Sequence, residues 1–271
     1  MTAKWSKERQ FYRWDWETEK SIACSISEAF PFLVQNGHVV SFVGAGGKTT
    51  MMETCAEYAT SIEKNVLVTT TTHIAFPEKS VYAENMETVQ KLWEKKRYAV
   101  IGKKESRNGT VKLTMPEQLF FETAMREADL VLIEADGSKR YPCKVPGAHE
   151  PVLLPQSDIV IGVIGMSALG NPVEHVGFRI SDMTNFLRES RKQSRQAIMG
   201  SEIRKSCFTT EDFAAILSSE RGTKKDVMTG RTRSYYVCMN QCDNARIRAK
   251  CDEIAGLLPK RGITKIIMTG E

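Results

Sequence analysis

A glycine-rich turn followed by a lysine and two threonines is the strongest chemical signal in the sequence. Residues 44–50 read GAGGKTT, between an apolar run and a stretch with helical spacing of apolar residues. Backbone N–H groups of such a turn can surround phosphate oxygens, while a lysine neutralises their charge and a hydroxyl binds Mg²⁺. We expect Lys48 to reach the outer phosphates and Thr49 to ligate the metal. The predicted nucleotide-binding residues of this loop are Gly44, Ala45, Gly46, Gly47, Lys48, Thr49 and Thr50.

The spacing of the loop differs from the common pattern G-x-x-x-x-G-K-[ST], because Phe42 stands where that pattern has its first glycine. The loop is two residues shorter and resembles that of the Mur-type ligases, which bind ATP. The alternative is a strand-to-helix turn with an exposed lysine and an N-capping threonine. The order of strand, loop and helix favours phosphate binding.

Two carboxylates, Glu134 and Asp136, follow the apolar run 130–133. At the carboxyl end of a strand beside a phosphate loop, a carboxylate can hold Mg²⁺ or orient an attacking water. We predict catalytic roles for both and prefer Glu134 as the metal ligand. The alternative is a strand-end turn with Asp136 and Gly137 at its corner and Glu134 solvated.

Four threonines and a histidine end the second strand, at residues 69–73. The hydroxyl of Thr72 could reach a γ-phosphate, and His73 could transfer a proton or recognise a second substrate. We predict both as catalytic residues. Equally, threonine suits strands, Thr72 could cap a short helix, and a lone histidine is commonly structural.

The sequence MNQCD, residues 239–243, follows a strand and precedes a helix. It is close to the N-K-x-D element of GTP-binding proteins, in which the aspartate accepts hydrogen bonds from guanine. We predict nucleotide contacts from Asn240 and Asp243. Gln241 replaces the lysine of that element, so ATP and GTP both stay open. Asp243 or Asn244 could instead be the N-cap of the last helix.

Seven short β-branched, apolar runs must position these residues. Several are apolar on both faces, which is typical of buried parallel strands joined by crossover helices. We therefore predict an α/β fold with a doubly wound, mostly parallel sheet. The predicted strands are 38–43, 65–70, 97–102, 129–135, 158–165, 235–240 and 264–270.

The strand pattern stops between residues 166 and 234, which predicts a helical insertion lobe. Within it, Thr209 or Thr210 is expected to start a helix. Before it, Asn108-Gly109 predicts a hairpin and Pro116 the start of a helix. The predicted parts are an N-terminal helical segment, 1–37, an α/β core, 38–165, the lobe, 166–234, and a strand-helix-strand unit, 235–271, that completes the core.

Composition sets the class of protein and its partners. The 271 residues carry a net charge of +5 from 38 basic and 33 acidic residues that are largely interspersed, which favours nucleotides over nucleic acids as ligands. No run approaches the roughly 20 apolar residues of a membrane helix, and the start of the chain lacks a signal sequence. Seven scattered cysteines suggest reduced thiols in the cytoplasm.

Five stretches, in this order and spacing, resemble the YqeC family, from about residue 38 to the C-terminus. They are VSFVGAGGKTT, VLVTTTTHI, LVLIEADGSKR, AHEPVLLPQSDIVIGVIGMSALG and MNQCD. The resemblance implies an accessory factor for selenium-dependent molybdenum hydroxylases, linked to a selenium-containing form of the molybdenum cofactor. The family tends to show V-H-R where this chain has EHVGFR, so no role is carried over to His175 or Arg179.

Together, the residues and the resemblance predict a Mg²⁺-dependent protein with a P-loop NTPase-like fold that binds ATP or GTP. In this prediction it acts as a nucleoside triphosphatase, or a nucleotide-dependent transferase or ligase, in the maturation of such hydroxylases or their cofactor. The alternative is a non-catalytic, nucleotide-gated chaperone that delivers a cofactor or selenium species to a partner hydroxylase.

Overall fold

The fold is a mixed α/β arrangement built on one large, mostly parallel sheet. The computed structural model describes residues 9–107, 109–193, 200–230 and 233–271. The strands are β1 (Gln10–Asp15), β2 (Lys20–Cys24), β3 (His38–Gly44), β4 (Val66–Thr70), β5 (Ile74–Ala75), β6 (Tyr82–Ala83), β7 (Tyr98–Ile101), β8 (Lys103–Arg107), β9 (Thr110–Thr114), β10 (Leu130–Glu134), β11 (Cys143–Lys144), β12 (Ile159–Gly165), β13 (Gly177–Phe178), β14 (Ser234–Asn240) and β15 (Ile266–Gly270). The helices are α1 (Ile26–Ala29), α2 (Lys48–Ser61), α3 (Met86–Lys96), α4 (Gln118–Glu127), α5 (Val173–Val176), α6 (Ile180–Gln193), α7 (Gly200–Lys205), α8 (Thr210–Ser218) and α9 (Ala245–Leu257).

Strand order in the large sheet is β2-β1-β15-β14-β12-β3-β10-β4-β7-β6. The pairs β1 with β2 and β1 with β15 are antiparallel, and the other neighbours run parallel. After β3 the chain moves to β4 on one side, and after β10 it moves to β12 on the other. The carboxyl end of β3 is therefore the topological switch point, where open α/β sheets form their binding crevice.

Both faces of the sheet are covered, as the apolar strand patterns predict. Val40 and Phe42 of β3 belong to a buried cluster with Met51 and Met52 of α2 on one face. Alternate residues point the other way, so Val39 packs with residues of α3 and α4, including Trp93, on the opposite face. Helices α1 and α2 therefore lie on the same face of the sheet, since Ala29 of α1 belongs to the same cluster as Met51 and Met52.

The seven predicted strands are all present, with ends that agree within two residues. Strands β8 and β9 form the predicted hairpin, although Asn108 of its turn lies outside the described residues, and they join β5 in a separate small sheet. Helices α5 to α8 lie in the predicted lobe, and Thr209 caps α8 with a reciprocal bond to Asp212. Helix α4 begins at Gln118, two residues after Pro116.

The predicted N-terminal helical segment, 1–37, is wrong for residues 10–24. They form β1 and β2, and β1 extends the large sheet by pairing with β15. Phe11 and Trp14 are buried on this hairpin, and Phe11 packs edge-on against Phe30 at 6.2 Å. The aromatic residues alternate with charged ones and form no apolar run, so the strand depends on its sheet partner and not on local pattern. Helix is confined to the single turn α1 and a 3₁₀ turn, Pro31–Val34.

No helix in the described ranges is both long and apolar enough to cross a membrane.

A buried ion pair within the lobe gives a test of its folding. Arg191 of α6 donates to both carboxylate oxygens of Asp212, at 3.0 and 2.6 Å, and both side chains are buried. Asp212→Ala leaves the guanidinium without its counter-charge and removes the bond that the Thr209 amide donates to Asp212, so the free energy of unfolding should fall by about 3–5 kcal/mol in denaturant titrations. Lys192→Met, on an exposed position of the same helix, is the control and should change it by about 0.5 kcal/mol or less.

Candidate functional site

The glycine turn lies at the carboxyl end of β3 and leads directly into α2. Gly44, Gly46 and Gly47 have φ angles of 92°, 81° and 115°, which L side chains rarely adopt. A Cβ on Gly46 would meet the backbone N of Gly165, at the end of β12, at 2.1 Å. Gly46 is therefore required by close packing of the turn against the neighbouring strand end.

The first three amides of the turn are already bonded within the protein. Gly44 N–H donates to Asp136 Oδ2 at 2.9 Å, and Ala45 N–H donates to the carbonyl of Val163 at 2.9 Å. Gly46 N–H donates to the carbonyl of Tyr141 at 3.1 Å. Fewer amides than the seven predicted are therefore available to bind phosphate.

The remaining amides, those of residues 47–50, are the unpaired donors of a helix N-terminus. Among the described residues, none of them has an acceptor. Helix α2 starts at Lys48 with Gly47 as its N-cap and no side-chain cap. An anion would meet four N–H groups and the positive end of the helix dipole here.

Lys48 is buried and folded back over the turn, so the alternative of an exposed lysine does not apply. Its Nζ donates to the carbonyl of Gly44 at 2.7 Å and lies 3.2 Å from Asp136 Oδ1. Only 3% of its side chain is exposed. The ammonium group therefore lies beside the turn, held by one carbonyl and one carboxylate.

Thr49 and Glu134, the two predicted metal ligands, are in direct contact. Thr49 Oγ1 donates to Glu134 Oε2 at 3.1 Å, and Glu134 is 9% exposed. Burial raises the pKa of Glu134, while Lys48 and the Thr49 hydroxyl oppose that shift. A hydroxyl and a carboxylate are hard oxygen donors suited to Mg²⁺, which completes its shell with water and phosphate. Consistent with so small a donor set, no cluster of three His, Cys, Asp or Glu fit for a metal occurs in the described residues.

Asp136 has a different environment from Glu134, although only one residue separates them. Its Oδ2 accepts from Gly44 N–H and lies 3.0 Å from the Nζ of Lys144. Its Oδ1 lies against Lys48. Both oxygens are thus engaged in holding the turn and two lysines.

Thr72 and His73, which follow β4, have different contacts. Thr72 Oγ1 lies 3.3 Å from Thr70 Oγ1, which donates to the carbonyl of Glu134 at 2.8 Å. His73 is exposed, and its Nε2 pairs with Glu105 of the β8 strand at 3.0 Å. Thr72 is therefore near the backbone of Glu134, and His73 is turned to the hairpin.

Asn240 joins the MNQCD element to the glycine turn. Its Nδ2 donates to the carbonyl of Gly46 at 2.8 Å, and its Oδ1 accepts from Arg9 at 2.9 Å. Asn244 is the N-cap of α9, accepting from the amide of Ile247. The capping role open to Asp243 is thus filled by its neighbour, and Asp243 Oδ1 accepts from the amide of Glu271 at 3.0 Å.

A cavity of about 720 Å³ connects the helix start with the MNQCD element. Gly47 and Thr50 line it at one side, and Asn240 and Asp243 line it at another. One flank of α2 forms a wall, with Glu53 among its residues, and burial raises the pKa of that carboxyl. Its volume lies within the range of small-molecule sites.

Sequence reasoning missed two contributions to this site. The hairpin side of the cavity includes Arg9, Phe11 and Ile26, which no motif marks. Lys144, whose side chain is fully buried, pairs with Asp136 and Glu150 beside the turn. A lone lysine in the stretch RYPCKVPG has no local pattern that would reveal it.

Comparisons with known proteins show which family the chain is similar to. A model of the YqeC protein family matches residues 40–181, more than half of the chain. The YqeC protein of Escherichia coli (strain K12) is 30% identical over 217 residues, which cover 76% of this chain and 78% of that protein. The crystal structure of HypB from Helicobacter pylori in complex with nickel is 13% identical and covers 88% of this chain and 93% of that one, with a TM-score of 0.28. A TM-score this low supports no conclusion about fold or function.

A comparison of two glycines with nearly the same φ angle distinguishes the cost of steric crowding from the cost of backbone strain. Gly37→Ala, at φ +80° with open space around it, should cost about 1 kcal/mol of unfolding free energy. Gly46→Ala, at φ +81° against Gly165, should cost more than about 3 kcal/mol, because backbone must also move. Denaturant titration measures both values, and equal costs would contradict the close packing of the turn.

Proposed function

The chain belongs to the YqeC family, and from this premise and the geometry of the site we propose that it is a Mg²⁺-dependent nucleotide-binding protein. It acts as a nucleoside triphosphatase, or a nucleotide-dependent transferase or ligase. Its proposed setting is the maturation of selenium-dependent molybdenum hydroxylases or of their cofactor, which rests on the family resemblance.

The observation that carries the proposal is the pairing of Thr49 with Glu134 at a helix start whose amides have no acceptor among the described residues. A hydroxyl and a carboxylate within 3.1 Å offer a metal two oxygens. Free N–H groups beside them offer an anion its donors. Metal and phosphate sites side by side are what a magnesium–nucleotide complex requires.

Each residue then has a physical role. The amides of residues 47–50 bind phosphate oxygens. Lys48 exchanges its contacts with Gly44 and Asp136 for a phosphate oxygen. Thr49 and Glu134 hold Mg²⁺, which when bound neutralises phosphate charge and polarises the phosphoryl group. Asp136 keeps the turn in place through the Gly44 amide.

The cavity beside Thr50 is the proposed site of the base and sugar. Asp243 lines it and offers a carboxylate to N–H donors, such as those on the edge of guanine. Asn240 holds the carbonyl of Gly46, so the base site and the phosphate turn are joined by one side chain.

One observation favours the second function, a nucleotide-gated chaperone that releases its cargo to a hydroxylase. His73 pairs with Glu105, and Thr72 contacts Thr70. Among the described residues, neither makes a hydrogen bond to the residues of the helix start, so neither is held there to activate water. Under this function hydrolysis is slow in the isolated protein and is accelerated by the partner.

Calorimetry with ATP, GTP and CTP, each with and without Mg²⁺, tests nucleotide binding. Lys48→Ala should abolish it, because the positive charge held beside the turn, 2.7 Å from the carbonyl of Gly44, is lost. Lys64→Ala is the matched control, since Lys64 is also buried and also donates to a backbone carbonyl, that of Gln35, outside the site. Unchanged affinity in Lys48→Ala would refute the proposed phosphate site.

Glu134→Gln tests the metal ligand. The amide can still contact Thr49 but carries no charge for Mg²⁺, so the enhancement of nucleotide affinity by Mg²⁺ should disappear while Mg²⁺-free binding persists. Glu57→Gln, at the cavity wall, should retain the enhancement. Loss of the enhancement in both variants would mean that Glu134 has no special role.

Asp243→Ala tests recognition of the base. If Asp243 accepts hydrogen bonds from guanine, the ratio of GTP to ATP affinity should fall by about tenfold or more. Asn244→Ala should lower the free energy of unfolding by about 1 kcal/mol through loss of the α9 cap and leave that ratio unchanged. A ratio that is the same in wild type and Asp243→Ala excludes the base-reading role.

A further inference from the structure

The carboxylate of Asp136 is shared by two lysines, although it is 1% exposed. Lys48 lies 3.2 Å from Oδ1 and Lys144 lies 3.0 Å from Oδ2. A buried carboxylate requires a counter-charge, and one is enough to neutralise it. Asp136 therefore has one positive charge more beside it than its own neutralisation requires.

The two lysines are held differently. Lys144 also donates to the carbonyl of Gly137 at 2.8 Å and to Glu150 Oε2 at 2.8 Å, and its side chain is fully buried. Asp136 Oδ2 has a second bond, from Gly44 N–H. In contrast, Oδ1 has no well-aligned hydrogen bond in the described residues, so its contact with Lys48 is a charge contact only. Lys48 is thus the releasable partner and Lys144 the fixed one.

From this asymmetry we infer that Lys144 is a positioning residue that keeps Asp136 neutralised and thereby lets Lys48 leave it for phosphate. The inference rests on the proposed nucleotide site. Without Lys144, Lys48 would be the only cation on a buried carboxylate, and phosphate would have to compete for it. With Lys144, the departure of Lys48 leaves Asp136 with one ammonium and one amide.

Glu150, the other carboxylate that pairs with Lys144, has a second counter-charge. Glu150 is paired with Arg179 at 2.9 Å, so removal of Lys144 leaves Glu150 with a counter-charge. Lys225 holds the same loop by donating to the carbonyls of Gly147, Ala148 and Glu150. Lys225 makes no contact with Asp136 among the described residues, and this makes it a matched control.

Calorimetry with the Mg²⁺ complex of the nucleotide preferred by the wild-type protein tests the inference. Lys144→Met should weaken binding by about tenfold or more, because Lys48 is retained by Asp136. Adding Asp136→Asn should restore much of the affinity, since the amide oxygen can still accept from Gly44 N–H but no longer traps the ammonium. Lys225→Met should bind as the wild type does. Equal losses in Lys144→Met and Lys225→Met, or a further loss in Lys144→Met with Asp136→Asn, would overturn the inference.

A second measurement needs no nucleotide. Denaturant unfolding of Lys48→Met, Lys144→Met and the double variant should show a loss in the double variant greater than the sum of the single losses, because only there does Asp136 lack any cation. Additive losses would overturn the inference. Should wild type bind no nucleotide, the proposed function fails while this cycle still decides the role of Lys144.

If Lys144→Met does not fold, Lys144→Met with Asp136→Asn separates charge from packing. Recovery of the folded protein, measured by thermal unfolding, supports the charge-balancing role. Failure of both to fold would show that Lys144 is needed for packing and would overturn the inference.

Discussion

The site depends on the close approach of the glycine turn to the ends of its neighbouring strands. The turn lies against Gly165 of β12, and its first three amides bond to Asp136, Val163 and Tyr141. These bonds fix where β3 ends and how α2 begins. The helix N-terminus then points its free amides to the crevice at the switch point of the sheet. The chemistry proposed for Lys48 and Thr49 follows from this placement.

Two carboxylates separated by a single residue have different surroundings, because Glu134 is the last residue of β10 whereas Asp136 lies beyond the strand, against the glycine turn. Glu134 meets a single hydroxyl and remains available to a metal. Asp136 meets an amide and two lysines and is fully engaged. Both side chains are carboxylates, and they differ in the charges and hydrogen-bond donors that surround them.

Much of the core could be predicted from sequence because its strands are apolar on both faces, as in the run of β12. The contact of Thr49 with Glu134 also follows from motif order, since parallel strands bring their carboxyl ends to one edge. The β1–β2 hairpin could not be predicted, because its stability comes from pairing with β15, more than 240 residues later in the chain. The contacts of Asp136 with Lys144 and of His73 with Glu105 were equally hidden, since Lys144 and Glu105 lie in stretches without a motif. The roles of the site residues stay predictions until binding is measured.

Helix α2 sets the distance between the glycine turn and the far side of the cavity. Its first turn offers the free amides, and Thr50, Thr54 and Tyr58, successive positions on one flank, line the cavity as the helix rises about 1.5 Å per residue. Because both regions belong to one rigid element, their separation does not adjust to the ligand. The two regions meet at Thr50, so a ligand held by its phosphates at the first turn would extend along this flank of the helix, and the spacing of these side chains would set where its other end lies.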